Sequence, residues 1–102
     1  MAEIGGAIGY AMQVFDEAMG ALIGLGSLQE RLRRAHSQLT RAAFKPEHHL
    51  PEEMRDDFVE LVESLDRAEG LSDDEAFVLA RRVHDMAGEV DRAHYEWIYR
   101  PR

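Results

Sequence analysis

Residues 4–25 read IGGAIGYAMQVFDEAMGALIGL, and this stretch decides how the rest of the chain must pack. It contains no Lys or Arg and only two acids, Asp16 and Glu17, whereas charged residues recur throughout the remainder. A helix that is apolar over so wide an arc has to be covered by other parts of the protein. The sequence therefore predicts one broadly apolar helix, packed against amphipathic helices from the rest of the chain.

Composition indicates one globular domain spanning residues 1–102 and sets several functions aside. The absence of Cys excludes a disulfide and a thiol nucleophile and fits a reducing compartment, so we expect the cytoplasm. The net charge of −8 repels phosphate backbones, so we expect no direct nucleic-acid binding and a protein partner with a basic or an apolar surface. Asp16 and Glu17 interrupt the apolar stretch, so we expect no membrane span.

Capping signals mark where the predicted helices begin. Ser27 and Glu30 have the spacing of a capping box, in which each side chain accepts a hydrogen bond from the other residue's backbone N–H. Ser72 and Glu75 repeat this spacing. Pro51 suits a first helical position, where its missing N–H would have had no partner.

Other residues mark the helix ends. Gly26 and Gly70 stand where a helix often finishes in a left-handed residue, and Pro46 ends the helix before it because it has no N–H. No stretch alternates with a period of two, so no strand is expected. The predicted helices lie at about residues 3–24, 28–44, 51–69 and 73–98.

The last three of these helices carry apolar residues at spacings of three and four, which place them on one stripe of each helix. Because the connections are short, we expect successive helices to pack antiparallel. The predicted fold is all-α, a four-helix up-down antiparallel bundle. The stripes are Leu28, Leu32, Ala35, Leu39 and Ala42; Met54, Phe58, Leu61, Leu65 and Ala68; and Ala80, Val83, Ala87, Val90, His94 and Trp97.

The end of the fourth predicted helix has more large amphipathic residues than one core can cover. Tyr95, Trp97 and Tyr99 follow closely on one another, and successive helical positions point in different directions. This helix is also longer than the second and third, so part of it overhangs them. Either Trp97 and Ile98 complete the core of the chain itself, or the overhang binds another chain. We expect Tyr95, Trp97 and Tyr99 to bind a partner chain. Together with the wide apolar arc of the first helix, the overhang predicts a homodimer.

The third predicted helix is strongly acidic. Three of its acids, Glu53, Asp57 and Glu60, lie on the side away from the apolar stripe, given about 100° per residue. Such a face is either solvated or bound to a basic surface. We expect these three residues to bind a protein partner, which predicts a non-enzymatic protein-binding module: an accessory, antitoxin-like or inhibitor/immunity-type protein.

Residues 31–36, RLRRAH, resemble the Arg-x4–6-His motif of HEPN-family ribonucleases, which are helical bundles that work as dimers. The resemblance covers six residues. It implies an alternative function, a metal-independent ribonuclease, in which Arg31 stabilises phosphate charge and His36 serves in acid–base chemistry. The competing interpretation is that His36 flanks the apolar stripe and the arginines face water.

Metal binding has little support in the spacing of the ligand-type residues. Asp91 and His94 place a carboxylate and an imidazole on one helix face, but a di-iron bundle needs such a pair on each of two helices. His48 and His49 are neighbours in a connection, where such a pair rarely chelates one metal without other ligands and is more often solvated. We therefore expect no bound metal and no cofactor.

Three segments resemble parts of small all-helical bacterial proteins to which no activity is attached. They are GSLQERL at residues 26–32, LPEEMRDDF at 50–58 and SDDEA at 72–76. The resemblance implies a bacterial origin and a helical fold, and no activity.

Overall fold

Helices make up most of this chain. The structure is a computed structural model that describes residues 4–99, with side chains described from Ala7 onward. No strand occurs between residues 4 and 99, and four of the helices have seven or more residues, so the all-α prediction is confirmed and the fold fits a helical bundle. The α-helices are α1 (Ile4–Ile23), α2 (Leu28–Leu39), α3 (Pro46–His49), α4 (Glu52–Leu65) and α5 (Asp73–Tyr99).

Both predicted capping boxes are present. The Glu30 N–H donates to Ser27 Oγ at 3.1 Å, and the Ser27 N–H donates to Glu30 Oε1 at 2.7 Å. Ser72 and Glu75 make the same two bonds at 3.1 and 2.9 Å. These bonds satisfy N–H groups that the first turn of a helix leaves free. They also lower the pKa of both glutamates, first through the backbone N–H and then through the Ser hydroxyl.

The two predicted left-handed glycines differ. Gly26 has a φ of 101° and is left-handed as predicted. The prediction for Gly70 is wrong, because its φ is not positive. After α4 the chain closes a 3-10 turn at Ala68–Gly70, in which the Gly70 N–H donates to the Arg67 carbonyl at 3.2 Å. Pro51 is the cap of α4 instead of its first helical residue.

The second and third helices end earlier than predicted, at Leu39 and Leu65 instead of residues 44 and 69. After Leu39, the Thr40 hydroxyl donates to the His36 carbonyl at 2.8 Å, which satisfies a carbonyl of the last turn. Phe44 then turns into the core and is only 5% exposed. A continued helix would have pointed Phe44 about 140° away from Leu39, at 100° per residue. Burial of Phe44 therefore favours the end of α2 at Leu39. Ala42 was predicted to be buried in the stripe of this helix, but it is exposed.

The core lies between four helices. Helix α1 packs on α2 and α5, and α4 also packs on α2 and α5. Among the described side chains, no polar or charged residue is buried. Most of the predicted stripe positions are buried, although Leu28, Ala80, His94 and Trp97 are half-buried. Within residues 4–99 no helix is long and apolar enough to cross a membrane. Glu3, near the predicted start of the first helix, lies outside the described residues.

Candidate protein-binding surfaces

An acidic groove runs between α4 and α5, with a volume of about 290 Å³. Its floor includes Met86, which is 7% exposed, and carboxylates from both helices form its walls. A groove with an apolar floor and charged walls suits a long basic side chain, whose aliphatic stem packs below while its charged end meets the carboxylates. The lining residues are Asp57, Glu60, Arg82, Asp85, Met86 and Glu89.

The charge in this groove is mostly uncompensated. Arg82 is the basic residue among its described lining, and its guanidinium donates to Glu60 Oε1 at 3.1 Å. Asp57, Asp85 and Glu89 have no Lys or Arg within ion-pair distance among the described side chains. Asp85 Oδ1 lies 3.5 Å from His84 Nδ1, whereas Asp57 and Glu89 have no basic partner among the described side chains. The excess of carboxylates makes this groove a site of negative potential, where a cation from outside would be attracted.

The three predicted acids of α4 are all exposed, but they do not share one environment. Asp57 and Glu60 line the groove, whereas Glu53 lies one helical turn earlier on the same side of α4 and outside the lining. The sequence prediction missed the contribution of α5, namely Arg82, Asp85 and Glu89. Their spacing of three and four residues, beside the buried stripe of α5, is the signal that would have placed them along the edge of the helix interface.

Two of the three predicted aromatic residues form an exposed pair. The rings of Tyr95 and Tyr99 lie 4.5 Å apart between centroids, and the two residues are 62% and 67% exposed. Trp97 is half-buried on the other side of the helix. His94, on the side that meets α1, places its Nε2 atom 3.6 Å from the position that a Cβ on Gly9 would take. The structure therefore separates Trp97 from the tyrosine pair.

Arg31 and His36 are held by different neighbours. The Arg31 guanidinium donates to the Leu22 carbonyl at 2.9 Å and to the Gly26 carbonyl at 3.2 Å, so it ties the end of α1 to α2. His36 Nε2 lies 3.9 Å from Asp66 Oδ1. The two residues are five positions apart on α2, which separates their directions by about 140° at 100° per residue. This arrangement brings no phosphate site together between them.

His49, at the end of α3, packs against aromatic rings, whereas its neighbour His48 is exposed. His49 stacks on Phe44 with 5.6 Å between ring centroids, and its Nδ1 accepts from the Lys45 N–H at 2.9 Å. His48 and His49 also border a cleft of about 260 Å³ near the start of α1. Within the described residues, no group of three or more His, Cys, Asp or Glu is arranged to hold a metal ion.

One carboxylate of α5 has a raised pKa. Partial burial of Asp91 is the largest cause, and the neighbouring carboxylate of Asp16 on α1 raises the pKa further, while His94 lowers it. Asp91 therefore sits beside a like charge at the contact between α1 and α5, which disfavours its ionised form.

Comparisons with protein-family models, with curated proteins and with solved structures found no match for this chain.

Proposed function

We propose that this chain is a non-enzymatic protein-binding module that binds a basic segment of a partner protein in the groove between α4 and α5. An accessory, antitoxin-like or inhibitor/immunity-type protein of the bacterial cytoplasm would work in this way. The observation that carries the proposal is the groove itself, in which Asp57, Asp85 and Glu89 surround a buried methionine while the one lining arginine is already bound to Glu60. The predicted ribonuclease alternative gains no support from the separate environments of Arg31 and His36.

The size of the groove favours one or two side chains over a whole small molecule. Its volume of about 290 Å³ lies at the lower limit of small-molecule sites, which span roughly 300–1,000 Å³. Arg or Lys side chains projecting from a partner helix or loop would fit, with carboxylates from both walls as hydrogen-bond acceptors. Glu53 lies beyond the groove along α4 and would extend the acidic contact to a longer basic segment.

The proposal includes the arrangement of the helices and their assembly. We infer an up-down antiparallel order in a single domain, which the short connections and the closeness of Gly9, early in α1, to His94, late in α5, support. We also infer that two copies associate, because large apolar residues on α5 are exposed along its outer side. Tyr95 and Tyr99 belong to this outer side and not to the groove.

Charge reversal tests the groove against a matched control on the same helix. The groove variant changes Glu53, Asp57 and Glu60 to Lys. The control variant changes Glu52, Asp56 and Glu63 to Lys; these acids are also exposed but lie about 90° further round α4, on the face opposite its buried stripe. Both variants change the net charge by the same amount, and both remove one acid from the first turn of α4.

Affinity capture from a lysate of the source organism compares the two variants with the wild-type protein. We expect one captured protein to be retained by the wild type and the control variant and lost from the groove variant. Equal capture by all three proteins would contradict the groove as the binding surface. Loss from both variants would show that overall charge, and not the groove, governs binding. Circular dichroism checks that both variants keep their helices.

A further inference from the structure

The outer side of α5 carries an exposed stripe that runs almost the whole length of the helix. Gly88 marks the centre of this stripe. Four other exposed residues point within about 20° of the direction of Gly88, at about 100° per residue: Phe77, Arg81, Tyr95 and Tyr99. The aromatic residues stand at the two ends, with exposed fractions of 59% for Phe77, 62% for Tyr95 and 67% for Tyr99. Large aromatic residues exposed on one helix face are typical of an interaction surface.

Gly88 occupies the middle of this stripe without a reason inside the chain. No atom lies within 4 Å of the position that a Cβ on Gly88 would take, and its φ is not positive. Neither close packing nor backbone conformation therefore requires a glycine there. Gly in a helix interior is less stable than Ala, and Gly20 is an equally open helical glycine, so what distinguishes Gly88 is its place at the centre of the exposed stripe. A glycine leaves space for another helix backbone to approach closely.

We propose that the stripe binds the same stripe of a second copy, with the two α5 helices antiparallel and the two-fold axis at Gly88. This proposal rests on the self-association inferred above. Phe77 lies 11 positions before Gly88 and Tyr99 lies 11 positions after it. Antiparallel pairing therefore places Phe77 against Tyr99 of the partner subunit. Arg81 and Tyr95, each seven positions from Gly88, meet in the same way, which sets a guanidinium against an aromatic ring.

Charged residues beside the stripe support this register. His84 and Asp91 lie on one flank of the stripe, four positions before and three positions after Gly88. Asp85 and Arg92 lie on the other flank, three before and four after. A two-fold axis keeps each flank on its own side, so His84 faces Asp91 of the partner subunit and Asp85 faces Arg92 of the partner subunit. Opposite or hydrogen-bonding groups thus meet on both flanks, which gives the pairing its charge complementarity.

The apolar area is sufficient for a dimer of modest affinity. Val78 and Ile98, ten positions on either side of Gly88, are 60% and 49% exposed and widen the two apolar ends. Burial of the exposed 59–67% of three aromatic residues, at 150–250 Å² for each whole side chain, covers roughly 600–900 Å² over both copies, to which these two residues add. Specific interfaces begin at about this size. We therefore expect an equilibrium between monomer and dimer that depends on protein concentration.

Disulfide trapping tests the axis directly, because the natural chain contains no Cys. In the variant Gly88→Cys, two thiols would face each other across the axis, within the Cα separation of less than about 7 Å that a disulfide needs. Gly20→Cys is the matched control, because Gly20 is also an exposed helical glycine with no atom within 4 Å of a Cβ position. Under mild oxidation we expect Gly88→Cys to form covalent dimer at least tenfold faster than Gly20→Cys. Equal rates, or faster trapping at Gly20, would overturn the proposal.

Exchange of one charge pair tests the register. In the dimer the contact between position 85 and position 92 of the partner subunit occurs twice. The variant Asp85→Arg places two positive charges at each of these contacts, and the variant Arg92→Asp places two negative charges there. By sedimentation equilibrium we expect each single variant to weaken the dimer about tenfold or more, and the double variant to return to within about threefold of the wild type. Failure of the double variant to recover would overturn this register.

Asp85 lines the groove and also faces Arg92 of the partner subunit, but the groove variant leaves Asp85 unchanged, so the groove experiment and the trapping experiment have distinct outcomes. A wild-type protein that stays monomeric at hundreds of micromolar overturns the self-association without affecting partner capture. A groove variant that loses its partner should keep the wild-type dimer, since Glu53, Asp57 and Glu60 lie outside the stripe. Circular dichroism of each variant confirms that loss of dimer is not loss of fold.

Discussion

Phe44 should hold the α2–α3 connection onto the bundle, and its replacement should be one of the most destabilising single changes in the chain. Its ring packs edge-on to Phe58 with 5.3 Å between centroids and edge-on to Phe15 at 6.4 Å. It is 5% exposed. Truncation of a buried Phe to Ala costs about 3–5 kcal/mol, through lost burial and the cavity that remains. A domain of this size has a total stability of about 5–15 kcal/mol.

Urea unfolding followed by circular dichroism measures this effect. With a denaturant slope of about 1.5 kcal/mol per molar urea, we expect Phe44→Ala to lower the midpoint by about 2–3 M. Phe77→Ala is the matched control, because Phe77 is 59% exposed, and it should cost less than about 1 kcal/mol at a protein concentration low enough to keep the chain monomeric. Phe44→Leu, expected to cost about 1.5 kcal/mol or less, extends the test if Phe44→Ala unfolds. A loss below about 1 kcal/mol for Phe44→Ala would refute the docking of this connection.

Two further predictions concern charge and capping. Ser27→Ala and Ser72→Ala should each lower the free energy of unfolding by about 0.5–2 kcal/mol at pH 7, and chemical denaturation of each single variant checks this. The caps lower the pKa of Glu30 and Glu75 from 4.5, so the part of each cap that depends on the ionised carboxylate should be lost as the pH falls through the lowered value. A loss of stability in Glu30→Ala that is as large at pH 2 as at pH 7 would contradict the assignment. Because the pKa of Asp91 is raised in the folded state, its ionised form is destabilising. Asp91→Asn should therefore stabilise the protein at pH 7 by an amount that shrinks as the pH falls towards 4, and a gain that does not depend on pH would count against this reasoning.

The parts of the fold that were predictable from the sequence are those decided by nearby residues. Each capping box joins residues three positions apart, so Ser27 with Glu30 and Ser72 with Glu75 could be identified without knowing what lies around them. The end of α2 was not predictable in this way. It depends on Phe44 reaching rings that are distant in sequence, and a periodic stripe that continues to Ala42 gives no sign of that contact.

The candidate site was predictable on one of its two sides. Asp57 and Glu60 could be placed away from the stripe of α4 from periodicity alone, and both are exposed. Which flank of α5 they face depends on how the two helices pack, so Asp85 and Glu89 were missed. For the same reason the aromatic end looked like one cluster in the sequence, whereas the helix places Trp97 on a different side from Tyr95 and Tyr99.

Reversal of the groove charges changes little in the folded protein itself, which makes binding the informative quantity. The groove variant removes one exposed ion pair, between Glu60 and Arg82, and such pairs contribute about 0–1 kcal/mol. In a complex, a charge reversal that turns one exposed attractive contact into a repulsive one weakens the free energy of binding by about 1 kcal/mol. Reversal of Glu53, Asp57 and Glu60 should therefore weaken binding by about 2–4 kcal/mol, or roughly 30- to 700-fold in Kd.

The most direct test of the acidic groove is the Kd of the captured partner for the wild type, the groove variant and the control variant, measured by calorimetry at 50 and 300 mM salt. We expect the groove variant to bind at least about 30-fold more weakly at low salt, and the control variant with Glu52, Asp56 and Glu63 reversed to stay within about threefold of the wild type. The difference in Kd between the wild type and the groove variant should be smaller at high salt, because salt screens exposed charges. Equal Kd values for the wild type and the groove variant at both salt concentrations would contradict the proposed function.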